Sequence, residues 1–389
     1  MRPLPLLQKT ILQVVPELNS GGAERSTLEM VEAIVGAGGR ALVATSGGRL
    51  EAEIAAVGGA VFRIPVHSKN PATIWANAGR LARLIEDAQV DLVHVRSRAP
   101  AWSALWAARR TGKPLVSTYH GAYSARGPAK RLYNSAMVRA DRVIANSAYT
   151  AKAVRAEYSL DPGRLRVIPR GADLDVFDPV KVEPGRLAGL DAWGARDGAL
   201  RLLLPARLTF WKGQDIAVRA ADLIKKRRLA ATGEAPLLRL IFAGDAQGAG
   251  DFAGRLRRET RDRGVEDMVG LVGHCADMPA AYAWADAVLS PATLPEAFGR
   301  VAAEAGAMRK PVIASDLGGQ RETVIDGVTG FLTPPGDVAA LADAIEAVER
   351  MSVAGRAAMG ARARRHIEAN FSANRMREAT LAVYAELLG

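Results

Sequence analysis

Short, uninterrupted apolar runs alternate with segments of helical periodicity along most of the chain, and this alternation restricts the possible folds. The first series of apolar runs covers residues 11–15, 41–44, 61–66, 92–95, 115–117 and 143–145. Helical spacing lies between them, for example at 23–35, 74–86 and 101–110. Continuous apolar runs are typical of strands that are buried on both faces of a parallel sheet. Strands alternating with helices therefore predict the α/β class with a doubly wound sheet.

The alternation starts a second time after residue 198. The second series covers residues 200–204, 238–243, 269–272, 287–289 and 311–314. A segment rich in Pro, Gly and charged residues separates the two series and has no strand pattern. Because 389 residues also exceed the usual size of one domain, we predict two Rossmann-like domains at 1–178 and 199–372, with a linker at 179–198. An amphipathic helix at 373–389 closes the chain.

Composition and the N-terminal sequence bear on the compartment. Cys275 is the only cysteine, which excludes an internal disulfide and any cluster of cysteine metal ligands. The first residues lack an apolar segment followed by a small-residue cleavage site, so we predict no signal peptide. No uncharged apolar run approaches the ~20 residues that span a bilayer. We therefore expect a cytoplasmic protein, soluble or peripheral to the inner face of the cell membrane.

The net charge of +11 is concentrated in the first half of the chain. Residues 1–178 carry 24 Lys and Arg against 15 Asp and Glu, whereas the remainder carries 28 against 26. Such asymmetry favours an anionic partner for the first half, although a solvated basic face without a partner stays open. Nucleic acid is disfavoured because no known binding module is present and aromatic residues make up only 5% of the chain. Anionic lipid and a charged glycan acceptor remain.

A basic stretch at 124–142 is the strongest candidate for contact with a membrane. It carries Arg126, Lys130, Arg131, Arg139 and Arg142 against one acid. We predict an amphipathic helix whose apolar face is formed by Leu132, Tyr133, Ala136 and Met137, although such a face more often belongs simply to the core. Each basic residue near an anionic bilayer adds about 1 kcal/mol of binding. In two further loops that follow strands, Lys69, Arg96 and Arg98 are predicted to face the acceptor.

Ligands of open α/β sheets bind beyond the carboxyl ends of the strands, so the loops after strands are the places to search. Gly21-Gly22 follows the first strand and opens a helix, where free amides favour an anion. The G-x-G-x-x-G spacing of dinucleotide sites is absent, and a plain turn is an equal alternative. His120-Gly121 follows the fifth strand and could contact a ligand, or pair only with the backbone.

In the second half, Arg207 and Lys212 lie five positions apart on a loop between a strand and a helix. Two cations in such a loop are suited to binding a diphosphate, with a surface pair as the alternative. Glu296 precedes a later helix and Glu304 lies inside it among apolar residues. A carboxylate in that setting needs partners, which sugar hydroxyls or a structural salt bridge would supply. The amides of the helix start would face an anion, and they belong to Phe298, Gly299 and Arg300.

Taken together and in this order, these stretches resemble the family-4 retaining glycosyltransferases of GT-B fold. The likeness rests on Gly-Gly-Ala-Glu at 21–24, His120-Gly121, Ile-Pro-Arg-Gly-Ala-Asp at 168–173, Arg207 with Lys212-Gly213, Gly244-Asp245, the Glu296 and Glu304 pair, and Lys-Pro-Val-Ile-Ala-Ser-Asp-Leu-Gly-Gly at 310–319. The resemblance implies two Rossmann-like domains facing a central cleft, with the helix at 373–389 packing back on the first domain. It implies a nucleotide-sugar donor linked to UDP or GDP, and neither metal nor cofactor.

The resemblance also assigns roles to individual residues. Arg207 and Lys212 would neutralise the donor diphosphate and stabilise it as a leaving group. Glu304 would hold the ribose hydroxyls, and Glu296 would hold hydroxyls of the transferred sugar. The remaining roles are an approach to the phosphate or sugar by Gly21 and Gly22, a contact with the sugar by His120, and a place in the donor site for Gly244.

Members of this family that build lipopolysaccharide and related cell-surface glycans look most similar. The resemblance therefore implies a hexosyltransferase that acts on a glycan or lipid-linked acceptor and retains the anomeric configuration. A nucleotide-sugar 2-epimerase of the same fold is the alternative function. Such an epimerase needs further acid and base groups near the sugar, and the Arg207/Lys212 and Glu296/Glu304 arrangement favours transfer.

Overall fold

The computed structural model describes residues 6–19, 21–121, 127–246 and 251–389. The chain divides into two compact units. The first unit contains the chain up to Arg170 together with Ala373–Gly389, and the second contains Gly171–Ser372. Each unit is built around one sheet of parallel strands, so the predicted α/β class is confirmed.

Among the described residues of the first unit, seven strands follow the spatial order β3-β2-β1-β4-β5-β6-β7. The strands are β1 (Thr10–Val14), β2 (Arg40–Thr45), β3 (Ala60–Arg63), β4 (Leu92–Val95), β5 (Leu115–Tyr119), β6 (Arg142–Ala145) and β7 (Leu165–Val167). Its helices are α1 (Gly22–Gly36), α2 (Glu51–Ala56), α3 (Pro71–Asp87), α4 (Ala101–Thr111), α5 (Pro128–Asn134) and α6 (Ala148–Glu157), together with the last helix of the chain.

In the described part of the second unit, six strands lie in the order β10-β9-β8-β11-β12-β13. They are β8 (Leu200–Pro205), β9 (Leu238–Ala243), β10 (Val269–Gly273), β11 (Ala287–Ser290), β12 (Val312–Ser315) and β13 (Gly330–Thr333). The helices are α7 (Pro184–Ala188), α8 (Gln214–Thr232), α9 (Phe252–Asp262), α10 (Met278–Trp284), α11 (Arg300–Ala307), α12 (Gln320–Thr323), α13 (Val338–Arg350) and α14 (Val353–Asn370). The last helix of the chain is α15 (Ala373–Leu388).

The apolar runs are continuous because each strand contributes side chains to a core on both faces of its sheet. In β1, Leu12 and Val14 enter one hydrophobic core, whereas Ile11 enters the core on the opposite face. In β8, Leu202 and Leu203 divide in the same way. Successive side chains of a strand point to opposite faces, so a strand covered by helices on both sides needs apolar residues at every position.

Helix α15 packs on α1 within the first unit. Its Tyr384 is completely buried, and the Arg377 guanidinium donates to the Glu32 carboxylate at 2.7 Å. The segment 179–198, for which we predicted a linker, lies within the second unit. There Trp193 is 7% exposed and its ring meets that of Trp284 edge-on, with 5.0 Å between the centroids.

Strand order reverses at one place in each sheet. In the first unit β2 and β3 lie to one side of β1, while β4 pairs with its other side. In the second unit β11 pairs with β8 in the same manner. A crevice opens at such a reversal beyond the carboxyl ends of the strands, because the flanking connections leave in opposite directions. Across the described ranges, no helix is long and apolar enough to cross a membrane.

Candidate active site

The loop from β8 to α8 lies at the strand reversal of the second unit and is tightly packed against the end of β11. Gly213 adopts a left-handed backbone with φ of 78°, and a Cβ at this position would collide with the Pro291 carbonyl. The Thr293 amide also donates to the Trp211 carbonyl at 2.9 Å. Glycine is therefore required at 213, and its conformation directs Lys212 toward the loop that follows β11.

Lys212 and Glu296 form an ion pair between these two loops. The Lys212 Nζ donates to Glu296 Oε1 at 2.7 Å, and the two side chains are only 14% and 11% exposed. The ammonium also lies 4.3 Å from the centre of the Trp211 ring. The structure thus brings together two of the predicted residues from strands that are distant in sequence. Arg207 lies exposed at the start of the same loop.

Two glycines after β12 support the backbone of Glu296. The Gly319 amide donates to the Glu296 carbonyl at 2.8 Å. A Cβ at Gly318 would collide with that same carbonyl, and one at Gly319 with the carbonyl of Ala297. In the sequence these glycines contribute only to the family resemblance, and the structure gives them a positioning role for the carboxylate loop.

Glu304 is held by two side chains of its own unit. The Tyr282 hydroxyl donates to Oε2 at 2.9 Å, and Arg300 donates to Oε1 at 2.8 Å from one helical turn away. Burial, followed by the neighbouring Glu304 carboxylate, raises the pKa of Tyr282 well above its usual value. The side chain of Glu304 is 12% exposed. The structural salt bridge, which was one of the two alternatives for Glu304, is therefore formed with Arg300. Each carboxylate oxygen nevertheless retains a second lone pair for a ligand.

The start of α11 lies between these two carboxylates. Gly299 is the residue before the helix and has a φ of 85°, while Phe298 is 3% exposed and packs edge-on against Phe371. Elsewhere at the same sheet edge, a Cβ at Gly244 would collide with the Ala206 carbonyl, so close loop packing explains that glycine.

In the first unit, Arg170 connects the Gly21-Gly22 turn to His120. Arg170 is 8% exposed, and its guanidinium donates to the Gly22 carbonyl and, at 2.9 Å, to His120 Nδ1. A Cβ at Gly22 would collide with this guanidinium. The space beside Gly22, which the resemblance reserves for donor phosphate or sugar, is thus bordered by a fixed cation. In the sequence analysis, Arg170 appears only as part of the motif at 168–173 that carries the family resemblance.

The contact with Arg170 determines the protonation of His120. A guanidinium can only donate, so Nδ1 must accept and the proton of the neutral ring lies on Nε2. Burial, followed by the charge of Arg170, lowers the pKa of His120 well below its usual value. Nε2 is buried and has no hydrogen-bond partner among the described residues. His120 is therefore a neutral donor that has no acceptor within the part of the chain that the structure describes.

Arg96 does not fit the predicted role at the acceptor side. The structure places it 2% exposed, where its guanidinium donates to Gln13 and Ser26 in the interior of the first unit. Arg96 directly follows strand β4, and its side chain is buried, so it presents no charge to solvent. The nearby His94 is also buried, between the Tyr384 hydroxyl and Thr118.

The other predicted basic residues lie at the surface of the first unit. Lys69 and Lys130 are exposed, and Arg131 is exposed and forms an ion pair with Glu157 at 3.3 Å. Arg98 donates to the Asn134 side chain at 3.3 Å. Arg126 lies outside the described residues.

The helix predicted over the basic stretch is shorter than expected. Helix α5 ends at Asn134, followed by a turn of 3₁₀ helix at Met137–Arg139. Ala136 and Met137 are completely buried, whereas Leu132 is 58% exposed. The apolar residues therefore do not form one continuous face, because the chain changes direction between them.

Because His94 and His120 are buried in the neutral form, we expect the folded protein to lose stability in mild acid. A histidine that stays neutral when folded binds its proton in the unfolded chain as the pH falls below about 6.5, so acid favours unfolding. For His94, whose pKa is lowered well below that value, the loss between pH 7.5 and 5 is about 2 kcal/mol. Denaturant unfolding at several pH values measures this loss of stability.

The variant His120→Gln should flatten the pH dependence, whereas His274→Gln, at an exposed side chain, should not. A flat wild-type profile would contradict the buried neutral state.

Comparison with known proteins identifies two matching family models and several similar chains. The family model described as Glycosyltransferase Family 4 matches residues 20–176, and the model described as Glycosyl transferases group 1 matches residues 191–366. A glycosyltransferase from Rickettsia africae ESF-5 has a crystal structure that is 32% identical, with a TM-score of 0.89. The match covers 98% of this chain and 99% of that one.

Two further relatives carry more specific descriptions. Anabaena Alr3699/HepE, solved in complex with UDP and glucose, is 25% identical with a TM-score of 0.82, over 97% of this chain and 99% of that one. The D-inositol 3-phosphate glycosyltransferase of Mycobacterium tuberculosis (strain ATCC 25618 / H37Rv) is 32% identical over 301 residues. That match covers 73% of this chain and 59% of the relative, so this chain spans less than two thirds of the relative's length.

Proposed function

Since this chain belongs to the family-4 glycosyltransferases, we propose that it moves a hexosyl unit from a nucleoside-diphosphate sugar to an acceptor hydroxyl. The observation that carries the proposal is the ion pair of Lys212 and Glu296, at 2.7 Å and largely shielded from water, at the strand reversal of the second unit. A cation there can approach a diphosphate, and a carboxylate beside it can accept hydrogen bonds from sugar hydroxyls.

The proposed chemistry follows from where charge develops. The bond between the anomeric carbon and the phosphate oxygen breaks, which leaves negative charge on the diphosphate and positive charge on the sugar ring. Lys212 and Arg207 stabilise the leaving diphosphate, and a site shielded from water strengthens that attraction. The acceptor oxygen bonds to the anomeric carbon on the face that the diphosphate leaves, and its proton passes to a phosphate oxygen. Retention by this same-face route is taken from the family.

In the second unit, donor recognition rests on Glu304 and on the start of α11. Glu304 accepts from the ribose hydroxyls through the lone pairs that Tyr282 and Arg300 leave free, and the opening amides of α11 face the diphosphate. His120 supplies its unused Nε2–H to an oxygen of the substrate. UDP is the proposed nucleotide because HepE binds UDP and glucose, and GDP is the alternative.

For the acceptor we propose a glycan or lipid-linked sugar of the cell envelope, met at an anionic membrane surface. The excess of basic residues in the first half supports an anionic partner. Lys69 and Lys130 are exposed at the surface, as is Arg131 in its ion pair with Glu157, whereas Arg96 is buried. Transfer is favoured over 2-epimerisation because the relatives described above are glycosyltransferases.

A thermal-shift panel with UDP, GDP, ADP and CDP tests the donor. A ligand at a hundred times its dissociation constant stabilises the folded state by ~2.7 kcal/mol, so UDP should raise the melting temperature by several degrees. Incubation with UDP-glucose and no acceptor should leave the sugar unchanged, whereas an epimerase would equilibrate it. We expect the UDP shift to persist in EDTA. If no nucleoside diphosphate shifts the melting temperature, the proposed donor site is wrong.

A further inference from the structure

Helices α3 and α4 of the first unit form a groove that the proposed chemistry does not use. Its volume is about 620 Å³. Trp75 and Trp106 line it, with 75% and 39% of their surface exposed. A Cβ at Gly79, which also lines the groove, would meet nothing within 4 Å. An indole as exposed as that of Trp75 costs hydration free energy unless something covers it.

The charges around this groove are of one sign. Arg80, Arg83 and Arg110 line it, and no acidic side chain is among the described lining residues. On each helix an arginine follows the tryptophan on the same face, eight residues later from Trp75 to Arg83 and four residues later from Trp106 to Arg110. Each helix therefore presents an indole and a guanidinium to the same open space.

We propose that this groove, the α3–α4 groove, docks on the surface of an anionic phospholipid bilayer. Tryptophan is enriched at the boundary between headgroups and acyl chains because its ring is apolar and its N–H is polar. Guanidinium groups beside it bind lipid phosphates, often in bidentate fashion. Helix α5, with exposed Lys130 and Arg131, contributes charge but has only Leu132 as an exposed large apolar side chain.

Other occupants fit this groove less well. A second copy in a two-fold contact would bring Arg83 and Arg110 against the same positive groove of its partner, which is repulsive. A neutral glycan would use the indole rings but not the three guanidinium groups. The proposal rests on the proposed function only in giving a membrane-linked acceptor a place to be met, and the docking itself needs no substrate.

Binding to vesicles tests the groove directly on the full chain. Vesicles of phosphatidylcholine with and without phosphatidylglycerol are compared by flotation at low and high salt. We expect binding only to the anionic vesicles at low salt, with a blue shift of the tryptophan emission. Brominated lipids should quench that emission, and the quenching should decrease in Trp75→Phe. Binding to neutral vesicles alone, or no binding by the wild type, would overturn the proposal.

Matched variants separate the groove from net charge. Reversing Arg83 and Arg110 to Glu removes two basic residues worth about 1 kcal/mol each, so binding should weaken roughly 30-fold or more. The same reversal at exposed Arg257 and Arg261 of the second unit changes net charge equally and should weaken binding far less. Equal losses in both pairs would overturn the proposal.

Two further variants complete the test. Trp75→Ala should weaken vesicle binding at least tenfold, whereas Val353→Ala in the second unit, also 75% exposed, should have no effect. If Lys130→Glu with Arg131→Glu abolishes binding while the groove variants bind normally, docking belongs to α5 and not to the α3–α4 groove. Melting temperatures identify variants that fail to fold. UDP binding is measured separately, so a failure of docking leaves the donor proposal standing.

Discussion

Replacing Lys212 with alanine should lower the turnover of glycosyl transfer by about 10²–10³-fold, which corresponds to the loss of one charge stabiliser of a transition state. The Lys212 side chain is 14% exposed, and its ammonium contacts both the Trp211 ring and the Glu296 carboxylate. No other cation is recorded within ion-pair distance of Glu296 among the described residues, so nothing in that part of the chain replaces the missing charge. Initial rates with a saturating donor measure the effect on kcat.

The same substitution also leaves Glu296 without its cation, and this second effect must be separated from the first. Removing one member of a buried ion pair typically destabilises a protein by about 3–5 kcal/mol. The double variant Lys212→Met with Glu296→Gln removes both charges and should recover most of that stability without recovering the rate. Lys226→Ala, at a 70% exposed side chain on α8, is the control for loss of a lysine. Wild-type turnover in folded Lys212→Ala would show that this lysine has no part in transfer.

Much of the fold could be predicted because burial on both faces of a parallel sheet forces continuous apolar runs. Eleven strands of the structure overlap such runs, while β7 and β13 do not. Strand β7 is three residues long with Arg166 at its centre, and β13 begins with Gly330. Both lie at the edge of their sheets, where one side lacks a neighbouring strand and the burial that marks a strand is weaker.

The candidate site could be predicted less completely, because spacing along the chain does not reveal contacts across loops. The sequence marked Lys212 and Glu296 separately, but their ion pair depends on close packing at Gly213 and at Gly318. Arg170 shows the same limit, since its effect on the protonation of His120 arises from residues 50 positions apart.

Arg96 shows the opposite error. A charged residue directly after a strand is expected at the surface. Arg96 is nevertheless buried, where its guanidinium donates to Gln13 and Ser26 inside the first unit. Burial of an arginine depends on such partners, because an unpaired buried charge is costly. The sequence around Arg96 does not predict these partners, because they lie 83 and 70 positions away in the chain.

Replacing Glu304 with alanine should weaken the binding of UDP about 100-fold, or roughly 2.7 kcal/mol. A hydrogen bond to a charged group contributes about 1.5–3 kcal/mol, and the ribose offers two hydroxyls to the carboxylate. Titration calorimetry of the folded variant with UDP measures the dissociation constant. Glu296→Ala should leave UDP binding nearly unchanged and lower turnover instead, because UDP carries no sugar for Glu296 to hold.

The alternative for Glu304 is a structural role alone, because Tyr282 and Arg300 already donate to its two oxygens. A structural role predicts a lower melting temperature in Glu304→Ala but unchanged affinity in the molecules that remain folded. Tyr282→Phe separates the two, since it removes one protein donor and keeps the carboxylate. We expect Tyr282→Phe to lower stability while changing UDP affinity less than tenfold. If Tyr282→Phe weakens UDP binding as strongly as Glu304→Ala does, the carboxylate acts by bracing α11 against α10, and another group must hold the ribose.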